Sequence, residues 1–274
     1  MHKIGMVALG CLLWLAALGA VAGEARQGGF LDRTVELAGQ RWPYQVYVPP
    51  EGGDDALPVI LFLHGAGERG GDGLRQTITG LPAAIRQDRT RFPFLVVMPQ
   101  APSERRWAYA TTEAAMAALE DAVVAFGGDR ERIYVTGLSL GAEGAWSLAG
   151  KPPDVFAALV PVSGSVTRDA TGVNVEGDGR MHTATLDPHD PAEPFDAIAQ
   201  RLRHLPVWML HGDADDVASV HGPRRMRAAL EAAGGEVRLT EYSGVGHDAW
   251  DRAYAEPDLA PWLLSHRRRA AGSH

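Results

Sequence analysis

Gly137-Leu138-Ser139-Leu140-Gly141 sets a serine between glycines; downstream stand three acids within four residues, Asp213, Asp215 and Asp216, and then a histidine in the turn Gly246-His247-Asp248. A serine hydroxyl at its ordinary acidity is a poor nucleophile. An imidazole that takes its proton, and a carboxylate that orients the imidazole, make it a good one, and the chemistry open to such a trio is acyl transfer.

The surrounding pattern suits that role. The apolar run Ile133 to Thr136 precedes the serine and a helical run, Ala142 to Ala149, follows it. A sharp strand-to-helix turn would hold Ser139 clear of a sheet, with the flanking glycines letting the backbone turn without a Cβ clash. The positive end of the following helix would face the negative charge that develops in acyl transfer. Of ten histidines, His247 alone lies in a glycine-flanked turn after the last strand-like run, Val237 to Tyr242. It is the expected base. Asp215 is the favoured acid, with Asp213 and Asp216 as alternatives; the two acids that do not face the histidine are expected to cap the helix that follows.

An oxyanion needs donors as well. One is expected from the N–H just after the nucleophile, at Leu140, and the other from Ala66 in His64-Gly65-Ala66-Gly67, where small residues let the backbone approach a substrate. His64 itself is expected to brace that loop. Trp107 and Trp250 are candidates for lining a substrate pocket, against the plainer reading that aromatic side chains fill the core. His182, Asp187, His189 and Asp190 match no metal-site spacing, so neither metal nor cofactor is expected.

These residues need a scaffold. Thr34 to Leu37 and Tyr44 to Val48 alternate as two strands joined around Gly39. Five apolar runs without alternation then follow, Val59 to Leu63, Leu95 to Met98, Ile133 to Thr136, Ala157 to Val162 and Val207 to Leu210, each reading as a strand buried on both faces. Helical periodicity lies between them, clearest at Thr112 to Phe126 and Gly222 to Ala233. Alternating strands and helices predict an α/β fold with a mainly parallel central sheet and helices on both faces, its site beyond the carboxyl ends of the strands. Residues 166–194, rich in Gly, Asp, Pro and Thr, interrupt the alternation and read as an insertion or cap loop.

At 274 residues and 46% apolar composition the chain can bury one large core, and one catalytic domain, 23–266, is expected. Residues 1–22 read as a signal peptide: His2 and Lys3, an apolar stretch from Ile4 to Val21, and the small-x-small site Ala20-Val21-Ala22. The expected location is periplasmic or secreted, with no stable membrane partner after cleavage. Cys11 is the only cysteine, so the mature chain would form no disulfide. The net charge of -8 argues against nucleic acid, whose phosphates demand a basic face. The one basic run, Arg267-Arg268-Arg269, opens a short tail, 267–274, expected to be solvated.

Taken together, the motifs resemble the α/β-hydrolase superfamily, in particular dienelactone-hydrolase-like and phospholipase/carboxylesterase-type enzymes and the secreted esterases grouped with polyhydroxybutyrate depolymerases and feruloyl esterases. The resemblance runs from about Pro43 to Leu264. It rests on Leu61-Phe62-Leu63-His64-Gly65-Ala66-Gly67-Glu68-Arg69-Gly70, Arg132-Ile133-Tyr134-Val135-Thr136-Gly137-Leu138-Ser139, His211-Gly212-x-x-Asp215 and Glu241 to Asp251. The order serine, acid, histidine is also that of these enzymes. The resemblance implies Ser139 as nucleophile, Asp215 as orienting acid, His247 as base, and Ala66 with Leu140 as oxyanion donors, acting on a small or polymeric ester. The chain departs from the pattern at Ala142-Glu143-Gly144, where relatives usually carry a second glycine and an aromatic. The alternative reading is peptide cleavage, as in the prolyl oligopeptidase group, against which stands the expected lack of a propeller-sized N-terminal domain. A third is a binding protein without activity on the same fold.

Overall fold

The computed structural model describes residues 28–50, 55–151, 154–166 and 195–268. The expected signal peptide, the insertion beyond Val166 with His182, Asp187, His189 and Asp190, and the end of the basic tail lie outside those residues.

Eight strands form one sheet: β1 (Gly29–Leu37), β2 (Gln40–Val48), β3 (Leu57–Leu63), β4 (Leu95–Pro99), β5 (Gly128–Leu138), β6 (Ala158–Val162), β7 (Val207–Gly212) and β8 (Val237–Tyr242). Their spatial order is β1-β2-β4-β3-β5-β6-β7-β8. The first two form an antiparallel hairpin that joins β4 antiparallel, and every pairing from β4 to β8 is parallel. The hairpin turns on Ala38 and Gly39, both at positive φ (50° and 74°), a geometry whose twist matches that of the flanking strands.

β3, β4, β6 and β7 are buried along their whole length, which is why their sequences are continuous apolar runs. Alternate residues serve opposite faces. Val59, Leu61 and Leu63 join α2 (Ala110–Phe126), α3 (Leu140–Ala149), α4 (Phe195–Leu202) and α5 (His221–Ala232) in one core. Ile60 and Phe62 join α1 (Leu81–Gln87), α6 (Trp250–Ala255) and α7 (Leu259–Leu264) in the other. Trp146 of α3, 1% exposed, anchors the first core, and its replacement by alanine would cost about 3–5 kcal/mol. Among the described residues no helix is long and apolar enough to cross a membrane.

This arrangement gathers four turns at one rim of the sheet. They follow β3, β5, β7 and β8, and carry Ala66, Ser139, Asp215 and His247 respectively.

Candidate active site

Ser139 separates β5 from α3 with φ 51° and ψ -118°, a conformation that costs a residue with a side chain about 1–3 kcal/mol. The surroundings enforce it. Its N–H donates to the Val162 carbonyl at 2.9 Å, while its own carbonyl accepts from Ala142 and Glu143 in the first turn of α3. The turn is therefore made by the serine, and neither Gly137 nor Gly141 has positive φ. Those glycines serve close approach instead: a Cβ on Gly137 would overlap the Gly141 carbonyl, and one on Gly141 would overlap the Leu63 carbonyl. Ala142, the departure from the family pattern, packs against Gly164, where a Cβ would collide with the alanine methyl. Its neighbour Glu143 is ion-paired with Arg106 from the loop after β4.

Ser139 Oγ lies 2.9 Å from Nε2 of His247, and Nδ1 of His247 lies 2.8 Å from Oδ2 of Asp215. The Asp215 side chain is fully enclosed, and that of His247 is 20% exposed. Burial by itself would raise the Asp215 carboxyl. Donors from His211 and His247 and the N–H groups of Ala218 and Val217 outweigh it and hold the group well below the usual carboxylate range. An ionised Asp215 assigns the shared proton to Nδ1 of His247, so Nε2 presents its lone pair to the Ser139 hydroxyl. An alcohol, an imidazole in that tautomer and a buried carboxylate in series can pass a proton from oxygen to nitrogen as the oxygen attacks an electrophile.

The competing acids go elsewhere. Asp213 Oδ1 accepts the Gly244 N–H at 2.7 Å, and Asp216 is exposed. Neither caps α5, contrary to expectation, because that helix starts only at His221, whose N–H meets Ser219 Oγ at 3.3 Å. The turns after β7 and β8 are laced further by Asp213 N–H to the Tyr242 carbonyl and Ala214 N–H to the Val245 carbonyl.

On the other side of the serine, Leu63 pairs with Gly137 in register, which lays the loop after β3 along the elbow. Ala66 opens a 3-10 turn, Ala66–Glu68, and Leu140 opens α3. The first N–H groups of a helical turn have no acceptor within it, so both are free to serve an outside oxygen. His64 is 1% exposed; its Nδ1–H donates to the Gly65 carbonyl at 2.6 Å and its Nε2 accepts the Ala101 N–H at 3.0 Å. Burial pushes this imidazole down to about 4, against the upward pull of the Gly65 carbonyl.

The two tryptophans part company. Trp107, 3% exposed, donates to the His64 carbonyl and packs against α3 at Gly144, so it is a core residue bracing the loop and not an open pocket wall. Trp250 stands edge-on to the His247 ring with centroids 5.7 Å apart, bounding the site on the β8 side. Among the described residues no group of three or more histidine, cysteine or acidic side chains is placed to hold a metal ion.

The fold and its turns have known counterparts. A secreted protein of Arthroderma benhamiae, otherwise uncharacterised, is 26% identical over 198 residues, covering 70% of this chain and 21% of its own length. The chain thus spans about a fifth of that relative. The crystal structure of a thermostable esterase superposes with a TM-score of 0.71 at 26% identity, over 87% of this chain and 63% of the esterase chain. A dienelactone hydrolase from Klebsiella pneumoniae, itself described as putative, shares the fold with a TM-score of 0.58 at 19% identity, over 86% of this chain and 96% of its own. Residues 102–266, which hold the elbow, the acid turn and the histidine turn, match the model of the prolyl oligopeptidase family. That match covers more than half of the sequence, and this chain, with its mostly parallel sheet of the α/β-hydrolase kind, belongs to the prolyl oligopeptidase family.

Proposed function

We propose that this protein is a serine hydrolase that cleaves carboxylic esters through an acyl-enzyme. The observation that carries the reading is the unbroken hydrogen-bonded series from Ser139 Oγ through His247 to Asp215. Ser139 Oγ attacks the ester carbonyl as His247 Nε2 takes its proton, and the oxyanion accepts N–H groups from Leu140 and Ala66. Collapse expels the alcohol, which leaves with the proton from His247. Water then enters, gives its proton to the same nitrogen and attacks the acyl carbonyl; collapse frees the acid as His247 returns the proton to Ser139 Oγ. The scheme calls for no cofactor.

Esters are preferred because the thermostable esterase is matched over 87% of this chain at 26% identity. Family membership favours a second reading, in which the same groups cleave peptides. Turnover of p-nitrophenyl acetate set beside a proline p-nitroanilide separates them. Ester turnover that disappears in Ser139→Ala, with an unchanged circular dichroism spectrum, supports the proposal. Activity on the anilide alone would overturn the ester half of it, and turnover surviving in Ser139→Ala would overturn the rest.

Export is proposed on the apolar stretch after His2 and Lys3 and on the relative named as secreted. A protein recovered from culture medium or periplasm should begin at Gly23.

A further inference from the structure

The reaction scheme leaves His211 unused, yet its imidazole is 1% exposed and lies against the carboxylate of Asp215. Nε2 of His211 lies 2.7 Å from the Ala218 carbonyl oxygen and 3.1 Å from Asp215 Oδ2. A carbonyl oxygen only accepts, so Nε2 must carry a hydrogen, which it donates to the Ala218 carbonyl while standing against the Asp215 carboxylate. Asp215 Oδ2 thereby stands between two imidazoles, His211 at 3.1 Å and the hydrogen-bonded His247 at 2.8 Å. Its Oδ1 receives the N–H groups of Val217 at 2.9 Å and Ala218 at 2.8 Å.

Backbone donors alone fix Oδ1 and leave the carboxylate free to pivot about it. The His211 contact fixes the second oxygen, the one from which His247 hangs. We propose that His211 is a positioning residue of this site: by bridging the Ala218 carbonyl to Asp215 Oδ2 it locks the rotation of the carboxylate and so sets the direction of the His247 ring toward Ser139. His211 touches neither the serine nor a substrate, so its contribution belongs to the rate of attack and not to binding. This rests on the reading of Ser139, His247 and Asp215 as a working triad.

The test replaces His211 with leucine, similar in bulk without a donor, and with glutamine, whose amide N–H reaches both acceptors. With p-nitrophenyl acetate, His211→Leu should lower kcat about 10- to 100-fold, the scale expected when a catalytic group is misaligned by a fraction of its contact distance, with KM within about twofold. His211→Gln should recover most of that loss. The rate constant for labelling by a fluorophosphonate probe, read per folded molecule, should fall and recover in parallel. A structural role alone would lower the fraction labelled and leave the rate constant unchanged. Should His211→Leu fail to fold, His211→Asn takes its place against His211→Gln: the shorter amide cannot span both acceptors, so asparagine should be slow where glutamine is fast. Wild-type rates in His211→Leu, or equal rates in the asparagine and glutamine variants, would overturn the proposal. Labelling of Ser139→Ala at the wild-type rate would instead overturn the triad reading beneath it.

Discussion

Asp213 Oδ1 accepts the N–H of Gly244 at 2.7 Å, so the turn that ends β7 is tied by a side chain to the turn that carries His247. Two residues later, Asp215 meets the imidazole itself at 2.8 Å. One acid thus holds the loop and its neighbour holds the ring. A Cβ on Gly212 would overlap the carbonyls of Val245 and Gly246, so the two turns also pack backbone to backbone.

That division of labour separates three variants. Asp215→Asn leaves the shape intact but invites the wrong tautomer of His247, and kcat should fall on the order of 10⁴-fold. Asp213→Ala removes one loop tie near solvent and should cost about tenfold or less in kcat. Asp216→Ala, at an exposed side chain, should be neutral within about twofold. Steady-state rates on p-nitrophenyl acetate decide among them, and equal losses at Asp213 and Asp215 would contradict the assignment.

The sequence alone leaves the acid open among three residues for a physical reason. All three lie within four positions, and which one faces inward depends on how the chain leaves β7, a direction set by contact between Gly212 and a turn some thirty residues away. The buried strands were legible because a segment covered on both faces must be apolar throughout, as at Leu57–Leu63. The polar start of β5, Gly128 to Glu131, hid five of its eleven residues together with the partly exposed Arg132. Helices α1, α6 and α7, six or seven residues each, are too short to show periodicity, and α1 and α7 carry Pro82 and Pro261 inside. Ser139 was legible because its elbow glycines are needed for backbone approach, and His247 because it lies in a glycine-containing turn after the last strand-like run. The second imidazole on Asp215 was signalled by its motif, but only coordinates reveal where it points.

His64 gives the folded state a dependence on pH. Its imidazole is held neutral in the fold, pushed down to about 4 by burial, whereas the unfolded chain titrates near 6.5. Between those values the unfolded state binds the extra proton, so stability is fully present above about 6.5 and drains away as pH falls toward 4. The loss attributable to this residue is on the order of 3 kcal/mol. Urea unfolding from pH 7 to 4 should show it, and His64→Gln, lower in stability at pH 7 for loss of the ring, should show a shallower slope over the same window. Parallel slopes would assign the dependence to other groups.

Gly141→Ala should destabilise the fold well beyond a surface change. The added Cβ would fall on the Leu63 carbonyl, which β3 cannot withdraw without breaking its register with β5. Overpacking against backbone costs about 3 kcal/mol. A thermal melt measures it, and an unchanged midpoint would mean that the elbow is looser than its contacts imply.

The strain at Ser139 predicts a stability order between two variants that lack the hydroxyl. Both Ser139→Ala and Ser139→Gly lose the hydroxyl and its bond to His247, so that loss cancels when they are compared. Alanine keeps a Cβ at φ 51° and ψ -118° and with it the strain of about 1–3 kcal/mol, while glycine adopts that conformation freely. Glycine also leaves a more flexible unfolded chain, which returns about 1 kcal/mol to the unfolded side. The balance favours Ser139→Gly by about 1 kcal/mol. Its melting midpoint should therefore exceed that of Ser139→Ala by a few degrees, and the reverse order would mean that the turn imposes no strain on the serine it presents.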